Sequence, residues 1–166
     1  MAYVAFDSGE RVTADIWVLP LTGDRKPFPF LTSGFQESQP RISPDGRWMA
    51  YVSNESGRDD VYVSSFPTAG GKMPVSTSGG VQPRWRADGK ELFYLSPDQK
   101  LMAVPLEGGS QLNTGTPQAL FDVRVVPRGS EEPYAYYQYD VTADGQRFVI
   151  CALPEGTTIP ITVVLN

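Results

Sequence analysis

Histidine is absent from the 166 residues and cysteine occurs once. Without histidine there is no Ser-His-Asp or Cys-His pairing and no histidine-ligated metal, so the commonest routes to hydrolysis are closed. The lone Cys151 excludes an intrachain disulfide. It stands in Phe148-Val149-Ile150-Cys151-Ala152-Leu153 with no nearby Lys to lower its pKa, and is expected to be a buried small hydrophobe, not a nucleophile. Long apolar runs are missing too: nothing approaches the roughly 18 to 20 residues that cross a bilayer, so no direct membrane contact is expected. The start, Met1-Ala2-Tyr3-Val4, lacks the basic and then apolar order of a signal peptide. It leads almost at once into strand-like sequence, so further sequence upstream is expected.

Positive charge is also short. Fourteen Lys plus Arg against nineteen Asp plus Glu leave a net charge of -5, which disfavours a phosphate-binding face and hence nucleic acid. Short catalytic signatures are lacking as well. Gly108-Gly109-Ser110-Gln111-Leu112 ends in Leu where a nucleophile elbow requires Gly, and no phosphate-binding loop, Asp-Phe-Gly or C-x-x-C occurs. No catalytic residue, metal or cofactor is expected. With 40% apolar and 20% charged residues, the chain still has enough to bury a core.

What is present is a repeat. Gln39-Pro40-Arg41-Ile42-Ser43-Pro44-Asp45-Gly46-Arg47-Trp48-Met49 aligns without gaps with Gln82-Pro83-Arg84-Trp85-Arg86-Ala87-Asp88-Gly89-Lys90-Glu91-Leu92, at an offset of 43. A third copy, Gln138-Tyr139-Asp140-Val141-Thr142-Ala143-Asp144-Gly145-Gln146-Arg147-Phe148, follows at an offset of 56, so thirteen residues have been inserted. After each Asp-Gly comes an apolar run, Trp48 to Val52, Leu92 to Leu95 and Phe148 to Leu153, and Tyr3 to Phe6 fits the same slot. A second set follows: Asp15 to Leu19, Asp60 to Val63, Leu101 to Val104 and Ile161 to Leu165. Both sets are rich in β-branched and aromatic residues, as strands are. Pro27 to Thr32, Met73 to Thr77 and Pro117 to Phe121 read as poorer strands, and their prolines suit an outer edge.

Each full unit therefore holds four short strands, A to D. Continuous apolar runs in place of clean alternation mean that both faces of each small sheet are covered. Four-stranded antiparallel sheets of this length stacked about an axis make a β-propeller. The expected fold is all-β: a partial β-propeller of about four blades, at about 1–33, 34–78, 79–122 and 123–166, forming one domain over 1–166. The first blade lacks its A strand and the last its D strand, giving roughly three, four, four and three strands. Their outer faces need a cover, which a homodimer closing the ring, an upstream propeller segment, or tight closure of the four units on themselves would supply, and the dimer is preferred because a two-fold contact satisfies both ends together.

Pro40-Arg41-Ile42-Ser43-Pro44-Asp45-Gly46-Arg47-Trp48-Met49-Ala50-Tyr51, followed by Ser56-Gly57-Arg58-Asp59-Asp60-Val61-Tyr62-Val63 and mirrored in the closing Leu31-Thr32, resembles the TolB-like propeller repeat. The resemblance covers almost the whole chain and departs from the pattern at Tyr139-Asp140, where Pro-Arg is expected. Such repeats occur in TolB, before prolyl-oligopeptidase-type catalytic domains, and at the C-terminal ends of some bacterial membrane-bound serine/threonine kinases. The resemblance thus implies a bacterial protein in an extracytoplasmic or periplasmic setting.

Asp45, Asp88 and Asp144 each precede a glycine in a hairpin turn and are read as turn residues, not as a carboxylate set. The candidate ligand or partner residues are Gln39, Arg41, Gln82 and Arg84 on the innermost strands, together with Arg128, Tyr136 and Tyr137 of the insertion. Strand alternation would put each Gln and Arg on one side, offering repeated donors to an acidic or carbonyl-rich peptide. Tyr and Arg are favoured recognition residues and insertions in repeats often fall on the binding face. Against this stand salt bridges between blades through Glu37 or Asp140, and tyrosines that merely cap the last blade. Asp59 and Asp60 are read as a loop residue and a strand start, with a Ca²⁺ role left open. The expected function is a non-catalytic peptide, protein or ligand-binding propeller. In the setting implied by the resemblance it would be the C-terminal part of a kinase. The alternatives are the propeller gate of a hydrolase whose catalytic domain lies elsewhere, or a purely structural half-propeller.

Overall fold

The computed structural model describes residues 2–6, 14–109, 111–125, 137–152 and 162–165, and among them every regular element is a strand. The strands form four antiparallel sheets in chain order. The first holds β1 (Ala2–Phe6), β2 (Ala14–Val18) and β3 (Phe28–Leu31). The second holds β4 (Glu37–Ile42), β5 (Trp48–Ser53), β6 (Asp60–Ser65) and the two-residue β7 (Met73–Pro74). The third runs β8 (Val81–Trp85), β9 (Glu91–Leu95), β10 (Lys100–Gly108) and β12 (Gln118–Asp122), with β11 (Leu112–Thr114) paired to the far end of β10. The last contains β13 (Tyr139–Val141), β14 (Arg147–Ile150) and β15 (Thr162–Leu165). The meander order and the strand count of each blade follow the repeat, except for β11, which the repeat does not contain.

Period-2 geometry explains why the middle runs are apolar throughout. In the second blade, Met49, Tyr51 and Tyr62 meet Ile16, Val18 and Phe30 of the first, while Ala50, Val52, Val61 and Val63 meet Leu92, Tyr94 and Val104 of the third. Phe93, Leu95, Leu101 and Ala103 then turn to the fourth blade and meet Tyr139, Phe148 and Ile150. Each contiguous run is thus two interleaved stripes serving different interfaces. Fully burying one such side chain contributes roughly 1.5 to 3 kcal/mol, so the three interfaces carry the stability of the arc.

Cys151 corrects a sequence expectation: its side chain is exposed. Strand β14 buries Phe148 and Ile150 and exposes Arg147 and Val149, and the alternation carries Cys151 to the outer face.

The Asp-Gly turns share one geometry. Ser43 N–H bonds Trp48 O at 2.8 Å, Gly46 N–H bonds Ser43 O at 2.9 Å, and Gly46 takes φ of +72°, a value that favours glycine. Asp45 Oδ1 accepts the Ser43 hydroxyl at 2.6 Å and Arg47 N–H at 3.1 Å. The Ser43 bond, with Arg47 beside it, holds the Asp45 carboxyl at about 2. Asp88 and Asp144 repeat the arrangement through Lys90 N–H and Gln146 N–H, both at 3.0 Å. These carboxylates shape turns.

Asp60 joins two loops of the second blade. One oxygen accepts Ser76 Oγ–H at 2.6 Å and Gly79 N–H at 2.9 Å, while the other accepts Ser56 Oγ–H at 2.7 Å and Arg58 Nε–H at 3.1 Å. Burial pushes its carboxyl up, but these donors more than offset that and leave it below its ordinary value. Its oxygens are committed to the protein, and no cluster of three metal-ligating side chains occurs among the described residues.

Candidate functional site

The site is built on β4, β8 and β13, the first strands of their sheets. On β4 the register slips between Ser38 and Arg41, which face Val52 and Ala50; on β8 it slips between Val81 and Arg84, which face Leu95 and Phe93. Each slip is a β-bulge holding one Gln-Pro pair. Proline has no N–H to lose there and disfavours a helical conformation in the residue before it. Gln39 and Gln82 take φ of +56° and +61°, which costs a side-chain-bearing residue about 1 to 2 kcal/mol.

Hydrogen bonds between blades offset that strain. Gln82 N–H donates to Gln39 Oε1 at 2.6 Å, and Gln138 N–H donates to Gln82 Oε1 at 2.6 Å. Gln82 Nε2 donates to Gln138 Oε1 at 3.0 Å. All three side chains are buried, Gln82 completely. The offsets of 43 and 56 in the sequence are therefore the spacings of a hydrogen-bonded relay through three blades. Tyr139 takes the place of proline in the third copy and its hydroxyl donates to Gln82 O at 2.8 Å. The alternation argument for Gln39 and Gln82 fails at the bulges: both ends of the Gln82 carboxamide bond the fourth blade, and Gln39 Oε1 accepts from the third.

The arginines are placed differently. The Arg41 and Arg84 guanidinium carbons each lie 3.9 Å from the centre of the Tyr137 ring, and the Tyr137 hydroxyl donates to Gln39 O at 3.1 Å. Three residues from three sequence units thus meet at one spot. Trp85 Nε1–H bonds Arg41 O at 2.9 Å, which ties β8 to the backbone beneath Arg41. Burial, with the Arg84 charge beside it, pulls the Arg41 pKa below its ordinary value, but an arginine still stays charged at neutral pH. Arg84 Nη2 reaches Tyr139 O at 3.5 Å, and its Nε lies 3.6 Å from Asp140 Oδ1. The ion pair expected with Asp140 is present but long, and the Asp140 side chain is 69% exposed. Glu37 instead accepts Ser33 Oγ–H at 2.5 Å, and burial pushes its carboxyl up. The Nε atoms of Arg41 and Arg84 are buried and have no hydrogen-bond partner among the described residues.

Of the expected site residues, the structure brings Arg41, Arg84 and Tyr137 together and commits Gln39 and Gln82 to the scaffold. Arg128 and Tyr136 lie outside the described residues. Gln138 was missed, although its alignment with Gln39 and Gln82 was the available signal. The hairpin ending in β11 was also missed. It closes a cleft of about 190 Å³ between the Asp-Gly turns of the second and third blades, where Arg47, Trp48, Lys90, Leu106 and Leu112 line the walls.

This architecture is a segment of a β-propeller, similar in fold to part of the TolB propeller. No family model matches the chain. Among curated proteins it is similar to Tricorn protease homolog 1 of Streptomyces coelicolor, with 34% identity over 105 residues. That match takes in 57% of the chain and 10% of the Streptomyces protein. Among solved structures it is similar to TolB from Acinetobacter baumannii, with 15% identity and a TM-score of 0.64, over 93% of the chain and 35% of TolB. It is also similar to a puromycin-hydrolyzing peptidase of Mycobacterium tuberculosis, with 18% identity and a TM-score of 0.63, over 90% of the chain and 25% of the peptidase. The chain thus spans only a minor part of each.

Proposed function

We propose that this chain is a non-catalytic interaction module that binds a peptide or protein at the inner-strand surface around Arg41, Arg84 and Tyr137. The observation that carries the reading is the pair of guanidiniums held against one tyrosine ring, in a chain whose net charge is -5. Arginine beside tyrosine gives large contact area and directional donors, the properties that dominate recognition surfaces. In the full protein the module would report ligand capture to an attached domain, such as the kinase that the repeat resemblance implies.

A peptide display library panned on the immobilised protein tests this. Ligands are expected to enrich on the wild type and to be lost when Arg41→Ala is combined with Arg84→Ala, with little change in Tm. Absence of enrichment, or equal retention by the double variant, defeats the reading, and a large fall in Tm assigns the arginines to the scaffold.

The 34% identity with part of a Tricorn protease homolog favours a second reading, a propeller that serves a hydrolase whose catalytic residues lie elsewhere in the parent protein. A hydrolase elbow in the flanking sequence would support it, and kinase motifs there would oppose it.

A further inference from the structure

We propose that Arg41 and Arg84, set against Tyr137, form a recognition site for a carboxylate. The proposal rests on the reading of this surface as the ligand face and names the group that it binds.

Three features of the site point to that chemistry. First, two guanidiniums share one aromatic ring, and among the described residues the carboxylate paired with either of them is Asp140, at 3.6 Å from Arg84 Nε. That distance is beyond a direct hydrogen bond, and a largely exposed side chain is screened by water. Among the described residues, two cations with one distant anion leave a local excess of positive charge, which a further anion placed between them removes. Second, both Nε–H donors are buried and make no hydrogen bond among the described residues. A buried donor of a charged group without an acceptor is costly, and an Nε–H is one half of the planar fork with which arginine grips a carboxylate. A carboxylate presents two oxygens in the matching plane, so one group can satisfy both donors of a fork or bridge the two arginines.

Third, the residues of the site are held in position in advance. Tyr137 is fixed by its bond to Gln39 O, Arg41 O is fixed by Trp85, and the strands beneath are locked by the glutamine relay. Binding therefore orders little of the protein, which raises the affinity obtained from few contacts. A phosphate can also engage a guanidinium fork, but the net charge of -5 on the chain disfavours its second negative charge, and the comparison below separates the two.

Two carboxylate sources, a free peptide C-terminus and an acidic side chain, share this chemistry and can be separated. Arginine Nε–Hε signals are followed by nuclear magnetic resonance and assigned with Arg41→Lys and Arg84→Lys. Four additions are compared at constant ionic strength: N-acetylated trialanine with a free C-terminus, the same peptide as its C-terminal amide, an amidated acetyl-Ala-Glu-Ala, and inorganic phosphate. Saturable shifts of the Arg41 and Arg84 signals are expected with the free-acid peptide, the glutamate peptide or both, and no such shifts with the neutral amide. Arg84→Lys is expected to weaken the response at least about tenfold while the Trp85 indole signal stays in place, as befits the loss of a charge-assisted fork. No shift with either carboxylate, an equal shift with the neutral amide, or tighter saturation by phosphate overturns the proposal. If displayed peptides still depend on Arg41 and Arg84 while carboxylates give no shift, the binding role stands and the carboxylate assignment alone falls.

Discussion

In β5, β6 and β9 nearly every residue is buried, whereas β2 and β14 bury every second one. All five strands come from the same repeat and read alike as apolar runs. The difference lies in their neighbours: among the described residues, a middle blade packs a sheet against each face, and an end blade packs one. An apolar run in such a repeat therefore records the capacity to be covered on two sides, and the position of the blade decides whether both are used. Phe93 and Val149 make the comparison concrete. Phe93 is buried between the third and fourth blades with its ring 5.0 Å from that of Phe148, whereas Val149, next to Phe148, is 45% exposed.

The largest effect should come from deleting a side chain at a closed interface. Phe93→Ala is expected to destabilise the chain by about 3 to 5 kcal/mol, because lost burial and the cavity left behind add together. Urea denaturation read by tryptophan fluorescence measures it. A loss below about 1 kcal/mol would mean that the blades hardly depend on one another, and would break the comparison at its root.

The polar counterpart contrasts Asp60 in a middle blade with Asp15, its equivalent in the first. Asp60→Asn is expected to cost about 2 to 3 kcal/mol, since four donors converge on its carboxylate. Asp15→Asn should cost less, as Asp15 is only half buried. The pH dependence supplies the sign. The folded Asp60 carboxyl lies below 3.8, so its contribution is fully present above the unfolded value and is lost as pH falls through the folded one. The gap between wild type and Asp60→Asn should therefore be wide at neutral pH and shrink on acidification below that value. A gap that stays constant with pH would show that the charge is not what stabilises these loops.

The glutamine relay comes next in size and separates strain from bonding. Gln82→Ala keeps the left-handed backbone strain and loses the carboxamide, at an expected cost of about 2 kcal/mol. Gln82→Gly loses the same bonds but relieves the strain, and should be the milder variant by about 1 kcal/mol. Chemical denaturation of the pair measures both. If glycine is no better than alanine, the φ of +61° carries no strain and the relay has nothing to offset.

These cases show how much of the molecule was legible in the amino-acid sequence. Strand order, blade number and the role of Asp45, Asp88 and Asp144 follow from a repeat whose spacing and turn chemistry are local properties. What escaped depended on neighbours. Cys151 looked like core because its run matches the middle strands, yet the outer face of its blade meets no sheet among the described residues. Gln39 and Gln82 looked like ligand donors because the bulges that redirect them cannot be read from alternation. Arg41, Arg84 and Tyr137 were each visible as recognition residue types. Their meeting depends on Tyr137 spanning from the fourth unit back to Gln39 in the second, a contact between residues 98 apart.

The smallest predicted effect tests the open side of the comparison. Val149→Thr preserves side-chain shape and changes only polarity, so on a face in contact with water its stability should lie within about 0.5 kcal/mol of the wild type. A homodimer closing the ring would change that expectation, since a stability shared with a second copy depends on protein concentration. Melting curves across a wide concentration range, paired with light scattering, separate the two cases. A mass of 18.2 kDa throughout and superimposable curves for both proteins mean that water covers Val149. A wild-type Tm that climbs with concentration, with a flatter climb for Val149→Thr, means that a second copy covers it, and the end blades then bury both faces as the middle ones do.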